Sequence, residues 1–197
     1  MRLTETGPLT QADFPIGALK DQLRLGTGFS DSGTQDALLE TCLRAAMGAI
    51  EARTGKILIS RGFLMIRETW RLESGAQVFP VGPVSNVQYV RLVAADKSRA
   101  DLPAADYRLI EDDQRPKIAA VNPPFPPIEA GGTAEIMFLA GYGPWAQVPA
   151  DLQQAMLMLA ASYYENRDSM INAGGQIPFG VSALLEPYKR FRLGAGL

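Results

Sequence analysis

Apolar residues are spaced for helices at the two ends of the chain and for strands in between. Phe14, Ile16, Leu19, Leu23 and Leu25 recur at near-helical spacing over residues 11 to 25, Pro15 fits a first turn, and Gly26-Thr27-Gly28 stops the run. Ser32 and Gln35 then pattern as a capping box before a longer helix. Its stripe is Leu38, Leu39, Cys42, Leu43, Ala46 and Ile50, and Thr54-Gly55 ends it. From Lys56 the signal changes to β-branched and aromatic runs broken by glycine or proline. These are residues 57 to 59, 63 to 70, 77 to 79, 84 to 93, 107 to 110, 118 to 121 and 133 to 140, which predict six or seven short strands. Residues 122 to 127 hold four prolines around Phe125, a stiff extended loop or sheet edge that is the most rigid exposed segment in the chain.

Pro149 and Asp151 open the last long helix. Leu152, Ala155, Met156, Leu159 and Tyr163 form its buried stripe as far as Asn166-Arg167, and Ala160 and Ala161 permit close packing. A loop from Asn172 to Pro178 leads to Val181 and onward to Tyr188, where Pro187 argues against one continuous helix. The fold class expected is α+β: a helical framework from both chain ends with a β-rich inserted meander or small sandwich. The segments are residues 1 to 55 (N-terminal helical part), 56 to 147 (β-rich insertion) and 148 to 197 (C-terminal helix and tail).

Composition narrows the function. The chain has 197 residues, 47% of them hydrophobic, enough for one good-sized core or two small ones. Nineteen Lys and Arg face 21 Asp and Glu, a formal charge of −2, so a general attraction to DNA or anionic lipid is not expected. The absence of histidine removes the commonest general base and metal ligand. Cys42 is the only cysteine, which forbids an intrachain disulfide and any Cys-based zinc or iron–sulfur site. The opening residues lack the apolar core of a signal peptide, and no stretch approaches the roughly 20 apolar residues of a membrane span.

Candidate chemistry is sparse. Glu111, Asp112 and Asp113 form the one dense carboxylate cluster. They could present oxygens to a hard cation, as a metal-dependent hydrolase would require, but their spacing fits a solvated turn better. Gly26-Thr27-Gly28 lacks both the preceding strand and the following Lys-Ser/Thr of a phosphate loop. Gly131-Gly132 and the Gly141 to Pro144 run are explained by turns. No Gly-x-Ser-x-Gly elbow is present, so no enzyme, cofactor or metal is expected. Cys42 and Met156 read as core.

Two clusters point to contacts with other chains. Tyr163, Tyr164, Glu165 and Arg167 crowd a helix end, either as cap and core or as an intersubunit contact. The tail sets Lys189, Arg190 and Arg192 among Tyr188, Phe191 and Leu193, a mixture suited to an acidic protein surface.

The opening Pro149-x-Asp151-Leu152-x-x-Ala155, the helix end Tyr164-Glu165-Asn166-Arg167, and Val181-x-x-Leu184-Leu185-x-Pro187-Tyr188 with an Arg soon after resemble the head-to-tail connector adaptor family of tailed bacteriophages. Glu51-x-x-Thr54-Gly55 after a Leu/Ala-rich helix is similar to that family's opening. The Arg-rich composition also resembles the adaptor of a phage-derived gene transfer agent. The resemblance implies a non-enzymatic part of the particle neck, assembled in the bacterial cytoplasm. Such a part forms a ring, typically twelve-fold, between the portal and a stopper or tail protein, and DNA passes through its lumen without sequence-specific binding. It implies a portal contact at Tyr188, Lys189, Arg190, Phe191, Arg192, Leu193 and Leu197. Subunit contacts are expected at Tyr163, Tyr164, Glu165 and Arg167, and the prearranged loop at Phe125 is a second candidate contact, toward a neighbouring subunit or the stopper. Another neck or tail-completion protein is the alternative. Arg190 would carry the family's Arg role, because Lys189 directly follows Tyr188.

Overall fold

The computed structural model describes residues 1 to 25, 34 to 121, 124 to 166 and 177 to 189. The chain divides into two compact units: Met1–Leu9 with Ser60–Tyr142, and Thr10–Ile59 with Gly143–Leu197. The first is β, the second helical, and both chain ends supply helices to the second, as an α+β fold requires.

In the helical unit, α1 (Ile16–Gln22) follows a short 3-10 turn at Gln11–Asp13, and α2 spans Thr34–Thr54. Gly26-Thr27-Gly28 and Ser32 lie outside the described residues. On α2 the buried apolar positions are Leu39, Cys42, Leu43, Ala46, Met47 and Ile50, the i, i+3, i+4 ladder of a one-sided helix. Leu38, expected on that stripe, is 40% exposed, and Met47 takes the place beside Leu43. Gly55, at φ 68°, ends the helix in the left-handed region that glycine enters at no steric cost.

Helix α3 (Ala150–Glu165) packs against α1, α2 and α4 (Phe179–Leu185). It does so through Leu152, Ala155, Met156, Leu159 and Ala160, all fully buried, so truncating Leu152 or Leu159 would cost about 2–5 kcal/mol. Tyr163, read as core, is only half-buried. Helix α4 ends at Leu185, and Pro187 sits in a 3-10 turn, Glu186–Tyr188.

The β unit has a five-stranded sheet in the order β1-β2-β9-β5-β6 and a four-stranded sheet in the order β3-β4-β8-β7, with every named pairing antiparallel. Their bounds are β1 Arg2–Glu5, β2 Arg61–Arg67, β3 Leu72–Glu73, β4 Ala76–Val78, β5 Val84–Val93, β6 Arg99–Asp101, β7 Tyr107–Ile110, β8 Lys117–Ala120 and β9 Thr133–Ala140. On β9, Ala134, Ile136, Phe138 and Ala140 alternate inward. Phe138 meets Phe63 of β2 at 5.9 Å and Phe79, just past β4, at 4.6 Å, so aromatic contacts join the two sheets.

Among the described residues nine strands form rather than six or seven. The three unexpected ones, β1, β3 and β6, are sheet edges whose mostly polar, exposed residues carry no alternating apolar signal. Conversely, residues 57 to 59 make no strand. Ile57, Leu58 and Ile59 are buried, the Leu58 N–H donates to Glu51 Oε1 at 2.9 Å, and Ile59 forms an isolated bridge to Gly143. The apolar run there reports burial, which a side-chain acceptor makes possible without a ladder.

Candidate contact surfaces

Proline and aspartate place the start of α3. Pro149 precedes the first turn, where its missing N–H costs nothing, and Asp151 brings negative charge to the end of the helix that favours it. Gln153 Nε2 donates to the carbonyls of Trp145 and Val148 at 2.8 and 3.0 Å, fixing the approach. The Tyr188 hydroxyl then donates to Asp151 at 2.8 and 2.9 Å, tying the turn after α4 back to α3. Lys189 pairs with Glu186 three residues earlier. These bonds fix Tyr188, the last residue of the turn, at the start of α3. Arg190, Phe191, Arg192, Leu193 and Leu197 lie outside the described residues.

At the other end of α3, Tyr163 and Tyr164 are half-buried and Glu165 is exposed. Burial pushes the Tyr163 hydroxyl above its ordinary pKa. Arg167 lies outside the described residues.

The proline loop differs from expectation at its centre. Phe125 is 8% exposed, stacked on Trp70 at 4.7 Å with planes 20° apart, and the Trp70 indole N–H donates to the Pro126 carbonyl at 2.8 Å. An aromatic among prolines gains more from a neighbouring indole than from water, so Pro124, Pro126 and Pro127 form the exposed face. Between this segment and the β5–β6 hairpin lies a cleft of about 400 Å³, lined among others by Leu92, Val93, Ala100, Pro126, Pro127 and Ile128.

Glu111, Asp112 and Asp113 border a cleft of about 220 Å³ beside Pro83, Val84 and Ser85. Asp112 Oδ1 accepts the N–H groups of Gln114 and Arg115, both at 2.7 Å, which is the work of a turn residue. Among the described residues no group of three or more His, Cys, Asp or Glu is arranged to hold a metal ion. No helix among them is long and apolar enough to cross a membrane.

Two side chains escaped the sequence reading. Phe179, at the start of α4, is 88% exposed. The signal was available: α4 buries Val181 and Leu185, one turn apart, and Phe179 falls about 200° from Val181 around a 3.6-residue helix. The other is Arg67, 7% exposed at the end of β2, where Arg61, Phe63, Met65 and Arg67 share the inward face. Burial and the neighbouring charge of Arg71 hold its guanidinium below the ordinary arginine pKa.

No protein-family model matches the chain, and no curated protein matches it. Solved structures do. A chain in the neck of an empty gene transfer agent particle, computed with C6 symmetry, is 44% identical with a TM-score of 0.90. One in the virion of a native gene transfer agent particle is 43% identical at 0.87. One in the neck of a native particle, computed with C12 symmetry, is 39% identical at 0.85. Each match covers 100% of this chain and 99% of the other. Likeness of that extent, shared by both units and by the helical ends whose motifs raised the comparison, makes this chain a member of the family of gene transfer agent neck proteins.

Proposed function

We propose that the chain is the head–tail adaptor of its particle: a non-enzymatic part that assembles as a ring, twelve-fold in the simplest reading, between the portal and a stopper or tail protein. The observation that carries this is full-length likeness to chains in particle necks computed with C6 and C12 symmetry. DNA in transit would cross the lumen without sequence-specific contact. A chain with net charge −2 suits that role, since a strongly basic ring would hold a polyanion by counterion release.

The tail from Tyr188 onward is the proposed portal contact. Lys189, Arg190 and Arg192 add three positive charges with no acid after Glu186, and Phe191, Leu193 and Leu197 add apolar anchors. The Tyr188–Asp151 hydrogen bonds would hold the first residue of that contact in place before docking, which lowers its share of the entropy cost of binding. Tyr163, Tyr164, Glu165 and Arg167 are proposed to face a neighbouring subunit. Phe125, being packed on Trp70, would act by shaping the proline loop rather than by direct contact.

Deleting residues 189 to 197 tests the reading. The truncated chain should remain folded and fail to join portal-bearing capsids, and unchanged joining would refute the assignment. Cross-linking of the full chain to portal, rather than only to tail components, separates an adaptor from a tail-completion protein.

A further inference from the structure

The two arginines that end the inward face of β2 are treated differently. Arg61 has Glu5 at 2.8 Å and lies over the Phe63 ring at 5.1 Å. Arg67 is equally buried, yet its guanidinium makes no hydrogen bond or ion pair with any described residue, and the charge beside it, Arg71, has the same sign. A guanidinium carries five donors and cannot shed its proton at any physiological pH. Removing it from bulk water without an anion is unfavourable, and adding a like charge compounds the cost.

The guanidinium is shielded and still reachable. None of its nitrogens is both sealed from water and unpaired, so each keeps some contact with solvent. The sheet register locates it. Arg67 stands opposite Ala134, and Ala134 opposite Leu92, one row on one face, and Leu92 lines the proline-walled cleft. The cation thus sits two strands from a cleft whose other wall, Pro126, is held by Trp70, three residues along from Arg67.

We propose that Arg67, supported by Arg71, is the receiving half of an ion pair that a carboxylate on a neighbouring copy of the chain completes. A second copy is favoured by closure. Chains related by a cyclic axis meet through two different patches, so each subunit must carry both halves of the intersubunit pair, one on each patch. The chain also has acids to offer: among the described residues Glu165 is exposed with no ion-pair partner, at the α3 end where a carboxylate is least favoured. The inference rests on the ring reading above and adds which cation the ring interface uses.

The test compares the full-length chain with Arg67→Met and Arg67→Lys, measured as isolated protein and as neck density in electron micrographs of assembled particles. Arg67→Met keeps the apolar stem and removes the charge. Its isolated melting temperature should equal or exceed that of the wild type, while the fraction of particles bearing the neck ring falls about tenfold or more. Arg67→Lys, with charge but no fork, should fall between the two. Three results would overturn the proposal. One is wild-type neck frequency with Arg67→Met. Another is a loss of melting temperature as large as that of Met65→Ala, which would make Arg67 part of the core. The third is normal necks with altered DNA content, which would make the anion a phosphate. If the wild-type chain itself forms no ring, the ring reading fails instead, so the two failures are distinguishable.

Discussion

Tyr188 and Asp151 stand 37 residues apart in sequence and join through a single phenolic hydroxyl, which donates to Oδ1 at 2.8 Å and to Oδ2 at 2.9 Å. One side chain opens the longest helix of the C-terminal part and the other closes the last described turn. The proposed docking tail therefore begins from a point fixed on α3. The bond that fixes Tyr188 there is charge-assisted, of the stronger kind.

Tyr188→Phe removes that bond and keeps the ring. It should lower stability by about 1–2 kcal/mol, since a half-buried carboxylate loses a donor. Hydrogen exchange would show faster opening of residues 179 to 188 than of α2. Equal protection of the two segments in wild type and variant would mean that the bond does not hold the turn.

Phe125→Ala should cost about 3 kcal/mol, because it removes a buried ring and leaves the Trp70 face without its partner. Trp70 is one of two tryptophans, and Trp145 belongs to the helical unit, so a red shift in emission would report the β unit. Phe125→Leu should recover part of the stability and little of the spectrum. Unchanged emission in the alanine variant would contradict the stack.

The helices and the inner strands were legible because side chains there must pack. Residues 84 to 93, 107 to 110 and 133 to 140 form β5, β7 and β9 at the bounds their composition predicts. Of the four edge strands, β1, β3 and β6 were not legible; β7 was, because three of its four residues are half-buried. Arg2–Glu5 pairs with β2 through backbone groups, which every residue carries, and its side chains mostly face water. Contact residues divide the same way. The tail's charge pattern can be read from sequence, whereas the isolation of Arg67 cannot. The register, which sets Ala134 and then Leu92 beside Arg67 across strands distant in sequence, reveals that isolation among the described residues.

Gly132 offers a test of the turn before β9. Its N–H donates to the Glu129 carbonyl at 2.9 Å, and a Cβ there would stand 2.8 Å from the Val93 carbonyl oxygen and 3.2 Å from that of Glu129. Both obstacles are backbone, so neither can swing aside. Gly132→Ala should destabilise the β unit by about 1–3 kcal/mol. Gly75→Ala, strained at φ 80° but with nothing within 4 Å of its Cβ, serves as a control for conformational strain alone. A Gly132→Ala midpoint in urea no lower than the control's would count against the close approach.

The entry to the helical unit carries a pH dependence. Asp13 Oδ2 accepts the Thr10 N–H at 2.7 Å and the Thr10 hydroxyl at 2.8 Å. These bonds, led by the backbone one and helped by the charge of Arg44, hold the Asp13 carboxyl below its ordinary value of 3.8. A carboxyl with a depressed folded-state pKa binds its proton less readily folded than unfolded. Its contribution is therefore complete above the ordinary value and disappears as pH falls through the lowered one. Asp13→Asn keeps the shape and removes the titration. The stability gap between wild type and variant should be constant from neutral pH down to about 5 and should narrow steadily below 3.8. Urea midpoints of both proteins across that range would show it. A gap that widens on acidification would mean that Asp13 is not the acceptor drawn here.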